Sequence, residues 1–127
     1  MISNHPVSPH LQIYRLPLTA LLSITHRATG VFIAFGALVL VWVLVTIASG
    51  PEAYQALSGH LSSWYGQIFL FGLTLSVYIH FCNGIRHLFW DVGIGFDLDV
   101  VDKSAKLAII VALILTIATW VVAVLAG

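Results

Sequence analysis

The chain has 127 residues, 60% of them hydrophobic and only 8% charged, with five Lys+Arg balancing five Asp+Glu. A soluble domain carries roughly 25% charged residues, so this composition excludes an ordinary water-soluble fold, and the balanced charge offers nucleic acid no attractive field. No Asp, Glu, Lys or Arg occurs in Ala28–Pro51, Ala53–Ile85 or Leu107–Gly127, and each run is long enough for the about 20 residues that cross a bilayer as a helix.

These runs predict an all-α membrane protein: a single membrane-anchor domain over 1–127 with three transmembrane helices and a polar N-terminal segment over 1–19. Met1–Pro17 holds His5, His10 and Arg15 and lacks the apolar core of a secretory signal. Span I is expected at about 20–48, with Thr19 as its N-cap, because Pro17 resists backward extension. Ser49-Gly50-Pro51 then favours a turn. Span II is expected at about 62–90, ending before Val92-Gly93-Ile94-Gly95. A polar loop with Asp97, Asp99 and Asp102 leads to span III at about 104–126, an apolar helix relieved only by Thr116, Thr119 and Trp120. The single cysteine, Cys82, cannot form an internal disulfide and reads as a small buried hydrophobe.

The basic residues set an expected orientation. Arg15 and Arg27 flank the start of span I, and Arg86, Lys103 and Lys106 flank the loop after span II, whereas the first loop has only Glu52. The positive-inside rule puts the N-terminus on the cytoplasmic or matrix side and the C-terminus on the periplasmic or intermembrane side.

Ionisable groups at membrane depth usually face the bundle interior and carry function. Here they are His26 and Arg27, with Ser23, near the start of span I, and His80, Arg86, His87 and Asp91 near the end of span II. The expected topology brings both sets to one membrane face. His80 and His87 are seven residues apart, nearly two turns and roughly 10 Å along the axis, so they share a helix face. Gly84 lies between them without a side chain. That spacing suits a porphyrin ligated by His80, its propionates meeting His87 or a nearby arginine. It suits equally a histidine that hydrogen-bonds a neighbouring helix, over a close-packing glycine. Arg86 and His87 can also simply anchor a helix end at the headgroups. Ser23 and Arg27, four residues apart, stack on one face and could hold a carbonyl-bearing amphiphile such as a quinone, or be a capping serine and a snorkelling arginine.

Three strings occur in order: Ser8-Pro9-His10-Leu11-Gln12-Ile13-Tyr14, Ser23-Ile24-Thr25-His26-Arg27-Ala28-Thr29-Gly30, and His80 through Asp91 with Gly84, Arg86 and His87 inside it. They resemble the cytochrome b membrane-anchor subunits of succinate dehydrogenase (respiratory complex II) over nearly the whole chain. One departure is His5 before Pro6, where relatives usually carry arginine. The resemblance implies a haem b shared with a second small membrane-anchor subunit, each chain giving one axial histidine, here His80. It implies propionate contacts from His26, Arg27 and His87, and a ubiquinone-reduction site that uses Ser23 and Arg27; Ile24 is expected to line that site beside them and Asp91 to serve as its proton relay. The implied partners are the iron–sulphur subunit, the flavoprotein subunit and the lipid bilayer of the bacterial cytoplasmic or mitochondrial inner membrane. The chain would have no catalytic residue acting alone. A second axial histidine within this chain is not expected, because His26 should lie near the headgroups. A fumarate reductase anchor working with menaquinol, or a non-redox subunit or transporter half with His80 as helix glue, are the competing readings.

Overall fold

A computed structural model describes residues 15–126 as four helices: α1 over Leu18–Ser49, α2 over Pro51–Ser62, α3 over Trp64–Asp91 and α4 over Leu98–Ala126. His5 and His10 lie outside the described residues. The three long helices α1, α3 and α4 are long and apolar enough to span a membrane. α3 is central and packs against both of the others, and their outward faces are apolar, as lipid contact requires.

The ends of these helices differ from the expectation in three places, each for a local reason. Thr19 is not the N-cap of α1. That position is Pro17, in an extended conformation, whose carbonyl accepts from Ala20 N at 3.0 Å and Leu21 N at 3.2 Å, with no side-chain cap. Proline fits just outside a helix start because it has no N–H to leave unpaired. At the other end α4 begins at Leu98, six residues before the expected start of span III. Its polar first turns, with Asp99 near the start and a Lys106–Asp102 ion pair of 2.6 Å, extend the helix without needing apolar surroundings. Charge marks where the apolar core stops, not where a helix stops.

The third difference is α2, which replaces the expected loop between spans I and II. Gly50 closes α1 with φ of 114°, and Pro51 opens α2 at its first position. Proline pre-sets that helical turn, and glycine supplies the backbone angle that a side chain would resist. Ser63 then ends α2 and caps α3: its Oγ donates to His60 O at 2.5 Å and accepts from Gly66 N at 3.2 Å. His60 bonds the Tyr65 hydroxyl at 2.6 Å across the same corner.

The α3–α4 seam is built from small residues and hydrogen bonds. Ala105, Ala108 and Ala112 are buried, and Cys82 packs with the last two, so the backbones approach closely. Tyr78 and Thr119 hydroxyls pair at 2.7 Å, and Trp120 Nε1 donates to Thr74 Oγ1 at 3.3 Å. Thr119 and Trp120 of α4 are thus engaged in holding α3.

The α2–α3 corner yields a test. A Cβ added at Gly66 would collide with the backbone carbonyls of His60 and Leu61, which cannot swing aside, whereas one at Gly59 on α2 meets nothing within 4 Å. Gly66→Ala should therefore cost about 1–3 kcal/mol through overpacking, and Gly59→Ala should be neutral or gain about 0.5–1 kcal/mol. Detergent unfolding of the two variants, compared with the parent, checks the contrast.

Candidate functional site

α1 and α3 run antiparallel across the bundle, so the start of α1 meets the end of α3. His80 lies eleven residues before the end of α3 at Asp91, which places it roughly 16 Å inside that end. There it reaches α1. Its Nδ1 lies 3.0 Å from the His26 carbonyl oxygen and 3.4 Å from Thr29 Oγ1. A carbonyl only accepts hydrogen bonds, so Nδ1 carries the proton and Nε2 keeps its lone pair. No hydrogen bond engages Nε2 among the described residues.

Three imidazoles gather at this level. His26 stacks face to face on His80, centroids 3.9 Å apart and planes 11° from parallel, and lies 5.1 Å from His87, which meets Trp90 edge-on. His26 Nδ1 is buried and has no hydrogen-bond partner. The three rings do not converge on a common ion: among the described residues no set of three His, Cys, Asp or Glu side chains could hold one.

Because α1 starts at Leu18, His26 stands in its third turn, packed against His80. It still cannot serve as a second ligand to a metal held by His80. Trans imidazoles meet a metal through ring nitrogens from opposite sides, and these two rings lie face to face. At Gly84 an added Cβ would meet only His26 Cε1, at 4.0 Å.

Arg86 is also placed otherwise than at a headgroup. It is 8% exposed and turned toward α4, donating to Asn83 Oδ1 at 2.8 Å, Ser104 Oγ at 3.2 Å and the Val101 carbonyl at 3.3 Å, over the Trp90 ring. It braces the α3–α4 connection. Of the other expected site residues, Ser23 is half-buried, while Ile24 and Arg27 are exposed on α1. Arg27 makes no side-chain hydrogen bond or ion pair among the described residues. Asp91, the last residue of α3, is exposed, and no described contact joins it to the imidazoles or to Arg27.

Residues 1–119 match the family described as the succinate dehydrogenase/fumarate reductase transmembrane subunit. The chain belongs to that family. Among its relatives, the succinate dehydrogenase cytochrome b556 subunit of Paracoccus denitrificans is 38% identical over 119 residues, covering 94% of this chain and 92% of the relative. The b556 subunit of Rickettsia prowazekii is also 38% identical, over 94% of this chain and 93% of its own. The b560 subunit of Reclinomonas americana is 31% identical over 124 residues, covering 94% and 86%. The chain is thus a membrane-embedded subunit of succinate dehydrogenase and part of that enzyme complex.

Two residues of this succinate dehydrogenase subunit were not singled out from the sequence, Thr29 and Gly30. Thr29 Oγ1 touches His80 Nδ1, and a Cβ at Gly30 would come within 3.0 Å of His80 Cε1. The available signal was their position three and four residues after His26, on its own face of α1. The His26–Gly84 contact can be tested directly. Gly84→Ala should be tolerated, since its Cβ reaches only ordinary contact, whereas Gly84→Leu should push His26 off His80. Thermal denaturation of the purified complex should register about 1–3 kcal/mol of destabilisation for the leucine alone.

Proposed function

We propose that this subunit binds one axial side of a haem b through His80 and contributes to a ubiquinone-reduction site in succinate:ubiquinone oxidoreductase, while anchoring the flavin and iron–sulphur subunits to the membrane. The observation that carries the reading is the state of His80: Nδ1–H is held by a backbone carbonyl, and Nε2 is left as a free lone pair within a spanning helix. Metal-ligating histidines characteristically have their second nitrogen bonded in this way. The buried, unpartnered Nδ1 of His26 fits a second feature of the group, a carboxylate needing donors, and His87 beside it supplies another. Bound there, haem would supply one-electron redox chemistry.

The residues have separate tasks. His80 would give its Nε2 to the haem iron, and His26, Arg27 and His87 would give donors to the propionates. A second small anchor subunit would give the other histidine, since the His26 ring is stacked on His80 in this chain. The Arg27 guanidinium stabilises the quinone oxygen that gains negative charge. Ser23, one turn earlier, donates to the ring, Ile24 offers apolar contact beside them, and Asp91 passes protons from the aqueous edge. Two electrons and two protons complete each quinone reduction. With the basic residues inside, this end of the bundle faces the cytoplasm or matrix, where the iron–sulphur subunit docks.

His80→Ala in the assembled complex should abolish or weaken low-spin haem in a reduced-minus-oxidised spectrum, while the chain still inserts. A normal haem spectrum in that variant would overturn the ligand assignment. The chain expressed alone should show no stable low-spin haem, and co-expression of a second anchor subunit with a buried histidine should restore it. Arg27→Leu and Ser23→Ala should slow quinone reduction about tenfold to a hundredfold, as the loss of a charged hydrogen bond implies, and leave succinate oxidation by an artificial dye nearly unchanged. Equal loss of both activities would mean failed assembly, and unchanged quinone kinetics would move the pocket elsewhere.

A further inference from the structure

Thr29 and Gly30 close the Ser23–Gly30 string yet have no part in the roles above. Thr29 is buried, and its hydroxyl lies 2.8 Å from the Thr25 carbonyl, 3.0 Å from the His26 carbonyl and 3.4 Å from His80 Nδ1. A hydroxyl has a single proton, and both carbonyls can only accept. That proton is therefore directed back into α1, and the oxygen presents a lone pair to His80. Nδ1–H thus faces two acceptors on one turn of α1, with the His26 carbonyl the nearer.

Gly30 completes the surroundings of the ring. Any Cβ there would stand 3.0 Å from His80 Cε1 and 3.5 Å from Nδ1. The imidazole cannot retreat freely, because moving it stretches the 3.0 Å bond to the His26 carbonyl and breaks the stack on the His26 ring.

We infer that Thr29 and Gly30 are positioning residues for His80: the Thr29 oxygen shares with the His26 carbonyl the task of holding the proton on Nδ1, and Gly30 leaves the space that fixes the ring's rotation. The inference rests on His80 being the axial ligand. Acceptors on Nδ1–H make the opposite nitrogen a stronger donor to a metal and so favour the oxidised, more positive ion. Orientation and donor strength of Nε2 are thereby set from α1, although His80 itself belongs to α3.

The test uses the whole membrane complex with Thr29→Val, which keeps the shape without the hydroxyl, Thr29→Ser, which keeps the hydroxyl, and Gly30→Ala. Haem content, midpoint potential and low-temperature electron paramagnetic resonance are measured for each. Thr29→Val should retain haem and raise its potential, moving the ferric–ferrous equilibrium about twofold to tenfold toward ferrous, where tenfold is about 59 mV for one electron. Thr29→Ser should titrate with the parent. Gly30→Ala should change the resonance anisotropy by turning the ring. An unshifted potential in Thr29→Val, or an equal shift in Thr29→Ser, would reduce Thr29 to a packing residue and overturn the inference. If Thr29→Val does not assemble, Thr29→Ala against Thr29→Ser decides by the same outcomes. A bis-imidazole haem surviving in His80→Ala would instead remove the ligand assignment beneath the inference.

Discussion

The hydrogen bond from His80 Nδ1 to the His26 carbonyl is the constraint on which this end of the bundle depends. A spanning helix has no water with which to satisfy a ring N–H, and leaving such a group unpaired in an apolar medium costs several kcal/mol. The donor therefore seeks a partner helix, and a backbone carbonyl has a second lone pair even when its first serves the helix. That contact, together with Phe32 and Phe35 against Phe69, sets the longitudinal register of α1 against α3. Register in turn determines that Thr29, Gly30 and the His26 ring surround His80, and that Gly84 stands beside His26.

α3 carries polar side chains on two faces, and each face meets a different need. Toward α1 it presents His80 and His87, with ring nitrogens left over. Toward α4 it presents Asn83 and Arg86, which are satisfied by each other, Ser104 and the Val101 carbonyl. The second set leaves little to offer a ligand, since all three guanidinium nitrogens of Arg86 are engaged within the chain. The first set retains a free lone pair and an unpartnered buried nitrogen. Adjacent residues of one motif, Arg86 and His87, thus face different neighbours and have different jobs.

Much of this was legible in the sequence because the bilayer permits so few solutions. Charge-free runs located the three long helices, and the rarity of ionisable residues picked out His26, His80 and His87. The spacing of His80, Gly84 and His87 correctly put them on one face, but periodicity within one helix says nothing about the neighbour that fills the gap, which is His26. The α2 helix was hidden because Gly50 and Pro51 read equally as a loop and as the end of one helix beside the start of another. Arg86 misled for a related reason. Its position near a helix end suggested headgroups, and only the packing of α4 reveals buried acceptors for it. Ser23, Ile24, Arg27 and Asp91 were read from motif and resemblance, and their common use depends on groups that other subunits would bring.

The charge-free length of α1 has a consequence for how the protein meets its membrane. From Ala28 to Ser49 the helix offers 22 residues without a charge, about 33 Å of apolar rod, close to the roughly 30 Å thickness of a bilayer's hydrocarbon. Arg27 sits at one end of that rod, and the α2 corner marks the other. Because His80 locks α1 to α3, α1 cannot slide separately to relieve a mismatch. A thinner or thicker bilayer must be met by tilting the whole bundle or by deforming the lipid around it. The rod therefore acts as a depth gauge, fixing how far the Arg27 end of α1 lies from the α2 corner while lipid composition changes around it.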